Sequence, residues 1–158
     1  GMLPGWSHQV AGAIGAALLR PASNVIVVDC GTATTLDVVT AAGDYLGGTI
    51  LPGVGISVET LAGRTAKLPT VEITRPAVAL GRSTIESIQS GVYFGHAGAI
   101  RRLVDELTRE VFGGVAPAVI GTGGFARLLE PEKLFDEIVP ELVLLGLKQA
   151  EAWNRESD

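Results

Sequence analysis

The stretch VIVVDCGTATTLDVV, Val25 to Val39, gathers the residue types best suited to chemistry. An apolar run ends in Asp29, Gly31 follows, then Thr32, Thr34 and Thr35, then a second acid, Asp37. A carboxylate at the end of a buried strand faces either a cavity or a bound cation, because an unpaired buried charge is costly. Gly31 permits a tight turn and lets a ligand approach the backbone. The threonine hydroxyls and amides can meet phosphate oxygens, and an anion there calls for a counter-cation that Asp29 can hold through oxygen. An ordinary hairpin with surface threonines accounts for the same residues, and the stretch alone leaves both readings standing. It is not a P-loop, because the lysine of that motif is missing. A second turn, IGTGGFA, passes from a strand through Gly121, Thr122, Gly123 and Gly124 into an expected helix whose free N–H groups favour an anion. Two such turns on one sheet point to a nucleotide between them.

The elements that must hold these turns follow from the pattern. Ser7 to Arg20 reads as a helix, capped by Ser7 and stopped by Pro21, with small residues suited to close packing. NVIVVDC is a continuous β-branched run, as expected of a strand buried on both faces. TLDVVTA is a second strand, and Gly43-Asp44 marks a hairpin into a third that ends near Ile50. PGVGISVETLAGRTAKL becomes helical, with Ile56, Leu61 and Ala62 on its apolar spacing. VEITRPAV is extended. Ser83 to about Val111 is a long helix on which Gly91, Gly95 and Gly98 trace one face open to close approach by another backbone. A short strand and a helix end the chain. Three strands in series, then alternating helices and strands, predict an α/β fold: one domain over residues 1–158, a mixed sheet with helices on both faces.

Composition narrows the function. The chain is 47% hydrophobic and only 18% charged, so it has the material for a packed core. Its apolar stretches fall short of the roughly 20 residues of a membrane helix, and its start lacks the pattern of a secretory signal. The lone Cys30 excludes an internal disulfide and reads as a small buried hydrophobe. A net charge of -5 and 5% aromatics offer little to nucleic acid. These features lead to the expectation of a cytoplasmic protein that binds neither membrane nor nucleic acid.

Four stretches, VDCGTATTLDVV, GDYLGGTILPGVGISVETLAGRTAKLP, LGRSTIESIQSGVYFGHAGAI and VIGTGGFARLL, occur in this order. Together they resemble the C-terminal domain of type III pantothenate kinases, the Bvg accessory factor family. The resemblance implies a ribonuclease-H-like domain of the actin-like/Hsp70/hexokinase superfamily. It implies ATP-dependent phosphorylation of pantothenate, the first step of coenzyme A synthesis, by a homodimer. It places a monovalent cation, K+ or NH4+, on Asp29, ATP phosphate at Thr32 with Gly31 and Thr34 beside it, adenosine near Gly121, Thr122, Gly123 and Gly124, and pantothenate at Thr84. Mg2+ would accompany the nucleotide.

The departures are equally specific. No stretch resembles the family's N-terminal Asp-x-Gly-Asn-Thr phosphate loop, so catalysis would need that half supplied, for example by a separate chain. Where the family carries Gly-Ala-Asp-Arg, with aspartate as general base, this sequence has Gly5-Trp6-Ser7-His8. Losing a positioned base costs on the order of 100- to 10,000-fold. His8 could take a hydroxyl proton, but a polar residue in the first turn of a helix is the plainer reading. A catalytically degenerate dimer that binds a nucleotide or a partner is therefore the alternative to a kinase. Asp37 is expected to face water or pair locally, and His96 to be structural. Arg64 and Lys67 could reach a phosphate, and Glu86 and Gln89 lie one turn apart near Thr84.

Overall fold

The computed structural model describes residues 5–64 and 71–157. Two helices are packed on one side of a five-stranded sheet and a long helix on the other. The elements in order are α1 (Gly5–Leu19), β1 (Val25–Cys30), β2 (Ala33–Val39), β3 (Tyr45–Pro52), α2 (Val54–Arg64), α3 (Thr84–Phe112), β4 (Ala118–Thr122), a 3-10 helix (Arg127–Glu132), β5 (Glu137–Ile138) and α4 (Leu142–Ser157). The sheet order is β3-β2-β1-β4-β5. β1, β2 and β3 form an antiparallel meander, while β4 runs parallel to β1 and β5 parallel to β4. This is the ribonuclease-H-like arrangement, an α/β fold as expected.

Alternation along β1 divides the core. Ile26, Val28 and Cys30 pack with Leu36 and Val38 of β2 against Tyr93, Ala97 and Ile100 of α3. Val25 and Val27 pack with Val39 and Ile120 against Ala13 and Ala16 of α1 and Leu142 of α4. Successive side chains of a strand point to opposite faces, so the parity of Val25 and Val27 carries Asp29 to the α1 side.

α3 begins where the sequence predicts. The Ser83 hydroxyl accepts from the Glu86 amide at 3.2 Å, and the Glu86 carboxylate accepts from the Arg82 amide at 2.8 Å. Such reciprocal caps satisfy amides that have no partner in the first turn. Gly113, at φ +59°, ends the helix in the left-handed conformation.

Two expectations change. The helix after the glycine turn is a 3-10 helix, because Pro131 lies inside it and cannot continue an α-helical ladder. α2 buries Val54 and Val58 and leaves Leu61 exposed, so its inner face is not the one its larger apolar residues suggest. VEITRPAV joins no strand, although Val71 is buried and Ile73 packs on the core. The segment around Lys67 and the side chains of Trp6, Ser7 and Arg64 lie outside the described residues.

Candidate active site

Asp29 is the centre of a row across three strands. Its register partners are Thr35 on β2 and Thr122 on β4. The row lies at the C-terminal ends of the parallel strands β1 and β4, where open α/β sheets bind ligands. A cavity of about 790 Å3 opens over it, lined by His8, Asp29, Gly31, Thr32, Thr35 and Gly123 among others. Pro140 and Val143, at the start of α4, complete its wall. Both predicted turns therefore meet at one site.

One oxygen of the carboxylate has a hydrogen-bond partner. Nε2 of His8, from α1, lies 3.0 Å from Oδ2 of Asp29. The imidazole is 63% exposed and the carboxylate 16%, so the pair stands at the cavity mouth rather than in the core. Oδ1 faces the second turn: a Cβ at Gly123 would come within 2.6 Å of it, and within 2.8 Å of the Cys30 amide nitrogen. Gly123 also has φ +89°, so a side chain is excluded both by conformation and by space. Gly53 serves the first turn in the same way, since a Cβ there would lie 2.2 Å from the carbonyl of Thr32.

Asp37, two register positions along on the same face, is buried. It accepts a hydrogen bond from the Tyr45 hydroxyl at 2.9 Å and from the Thr35 hydroxyl at 3.3 Å. Burial raises its pKa above the ordinary carboxylate value, against the pull of those two donors; the Asp29 charge adds to the rise and the charge of His8 opposes it. Burial, helped by Asp37, pushes the Tyr45 phenol up to about 12. Asp37 thus pairs locally, but it does not face water. Because Thr35 donates to Asp37, its remaining lone pairs are what it offers the cavity.

The threonines separate by strand parity, which corrects one expectation. Thr34 points to the α3 side, where its buried hydroxyl lies 2.9 Å from Nε2 of the buried His96. Its hydroxyl therefore cannot meet a phosphate in this cavity, where Thr35 presents a hydroxyl oxygen as an acceptor instead. Thr34 is the register partner of the core residue Cys30, the signal that could have assigned it to the other face. Burial lowers the pKa of His96, in keeping with a structural, neutral ring. Burial also pushes the Cys30 thiol up to about 12, which makes it inert.

Other predicted residues are placed as follows. Thr122 and Gly123 line the cavity, whereas Gly121 lies in β4 beneath the Phe135 ring. Gly124 has open space beside it. Thr84 is exposed at the first position of α3 and does not line the Asp29 cavity. Gln89 donates to the Glu72 carbonyl at 2.9 Å, and Glu86 caps α3. His8 is the residue the sequence undervalued: the plain reading made it a solvated helix residue, and it instead reaches the central acid. Among the described residues no three or more His, Cys, Asp or Glu side chains cluster to hold a metal ion.

A sheet with this strand order and a cavity at two glycine-bearing turns defines an α/β domain of the ribonuclease-H-like class. Within that class, a family profile described as "Type III pantothenate kinase" matches residues 8–106, and the chain belongs to that family. It is 47% identical over 148 residues to a type III pantothenate kinase of Legionella pneumophila, covering 94% of this chain and 58% of that protein. It is 44% identical to type III pantothenate kinase 1 of Francisella tularensis, covering 90% of this chain and 56% of the relative. The chain thus spans little more than half the length of the curated relatives it matches. Among solved structures, a Baf-family protein of Campylobacter jejuni, described as a transcriptional activator, superposes with a TM-score of 0.63 at 23% identity. That match covers 92% of this chain and 65% of the other and supports the fold.

Proposed function

We propose that the Asp29 cavity receives the phosphates of ATP, with its Mg2+, and that this chain supplies the C-terminal half of a pantothenate kinase. The carrying observation is the convergence of the Gly31-Thr32 turn, the Gly123 turn and the Thr35–Asp29–Thr122 row on one cavity. Phosphoryl transfer rests on positioning and charge neutralisation rather than covalent chemistry by the protein. Backbone amides of the two turns can orient phosphate oxygens, and Gly123 keeps the second turn close enough to do so. The opposite wall, with a phosphate loop and a base for the pantothenate hydroxyl, would come from an N-terminal half on the same or a separate chain. By the resemblance, pantothenate lies toward Thr84.

The same reading makes the protein a homodimer through α3. Among the described residues, Cβ atoms at Gly91, Gly95 and Gly98 would meet nothing within 4 Å, so close packing there does not require glycine. A groove of about 350 Å3 runs over Gly91 and Gly95 beside α2. None of the helices among the described residues is long and apolar enough to cross a membrane.

A coupled assay with ATP, pantothenate and a separately expressed N-terminal half tests the proposal. Turnover that depends on both halves and is lost in Asp29→Ala is expected. Nucleotide binding without turnover would support the degenerate alternative instead, and absence of both would overturn the nucleotide site.

A further inference from the structure

We infer that in this chain the His8 imidazole takes the place of a monovalent cation at Asp29. The inference rests on the proposed nucleotide site and specifies how its acid is neutralised. The resemblance expects K+ or NH4+ on this carboxylate, but the residues present do not fit a potassium ion. Potassium is held by several oxygens that replace its hydration shell. Here Oδ2 already accepts from Nε2 of His8 at 3.0 Å, and both groups line the cavity, so the imidazole stands where an ion on this carboxylate would sit. The next acid on this face, Asp37, is committed to Tyr45 and Thr35 and is buried. An imidazole N–H is a donor, not an oxygen ligand, so it competes for the carboxylate rather than completing a cation shell. The hydrogen bond needs only a proton on Nε2 and is available to the neutral ring.

Two consequences distinguish this chain from a cation-dependent one. It should be indifferent to which monovalent cation is present, and removing His8 should create the dependence. His8 is largely exposed, so His8→Ala should fold. Thermal unfolding without nucleotide, in potassium chloride and in tetramethylammonium chloride at equal ionic strength, reads the cation alone. The native chain is expected to have the same Tm in both salts. His8→Ala should unfold several degrees higher in potassium, and His8→Ala combined with Asp29→Asn should lose that gain. Stabilisation of the native chain by potassium that Asp29→Asn removes would overturn the inference. So would a His8→Ala chain as indifferent to potassium as the native one, because His8 would then not be what excludes the ion. ADP titrations in the two salts form a separate arm, with less than twofold difference in affinity expected for the native chain. Failure to bind ADP at all would count against the nucleotide site, while the cation arm would still decide the role of His8.

Discussion

Two glycine-bearing helix faces are used in opposite ways. Where α1 meets α4, the glycines are consumed inside the chain: a Cβ at Gly146 would lie 1.7 Å from the Ala11 carbonyl, and one at Gly15 would lie 2.4 Å from the Leu142 carbonyl. On α3, a Cβ at Gly91, Gly95 or Gly98 would meet none of the described residues within 4 Å. A glycine in a helix interior costs about 1 kcal/mol relative to alanine. On α1 and α4 that cost is offset by bringing two backbones together, which sets α1 over the sheet and delivers His8 to Asp29. On α3 no contact among the described residues offsets it, which is the ground for the proposed dimer face. The side of the sheet bearing the Asp29 cavity is closed by its own helices, and the other side offers an open groove.

Substituting on the closed face should give the largest effect. Gly146→Ala forces apart two backbones and should lose about 3 kcal/mol, at the upper end of ordinary overpacking. At about 2–4 °C per kcal/mol for a domain of this size, that is a fall of roughly 10 °C in Tm by calorimetry. An unchanged Tm would break the comparison. On the open face Gly95→Ala should do the reverse to the monomer, adding up to about 1 kcal/mol through helix propensity. It should also weaken self-association measured by sedimentation. A monomer destabilised by this change, or a dimer indifferent to it, would show that the face is not an interface.

The smallest effect sharpens the account of the closed side. Asp37 has a raised folded-state pKa because it is buried. Between the unfolded and folded values the native state holds the extra proton, so stability falls as pH rises through that window and is level above it. Asp37→Asn keeps an acceptor for Tyr45 and carries no charge. Denaturant titrations from acid to neutral pH should show that slope in the native chain and a flatter profile in the variant, with the variant at least as stable at neutral pH. A native profile that rises across the window would contradict the direction.

Much of this architecture is legible in local pattern. The β-branched run of β1, the Gly43 turn and the Ser83–Glu86 cap each depend on residues near in sequence. The two glycine turns announce themselves by composition, and they do meet. What is not legible depends on parity and on packing between distant elements. Thr34 and Thr35 are both threonines, yet the register of β2 against β1 sends one to His96 and the other to the cavity. His8 reaches Asp29 across 21 positions because α1 lies over that face of the sheet, and nothing in its own segment records the contact. The 3-10 helix shows the reverse case, since Pro131 is a local signal against an α-helix that the strand-turn-helix pattern does not contain.

The most direct test of the nucleotide site follows backbone amide resonances while Mg2+-ADP is titrated into the intact chain. The account predicts shifts concentrated at Gly31, Thr32 and Ala33 and at Thr122, Gly123 and Gly124, with the α3 glycines unmoved. Saturating nucleotide that leaves both turns unperturbed, or that moves only the α3 groove, would contradict it.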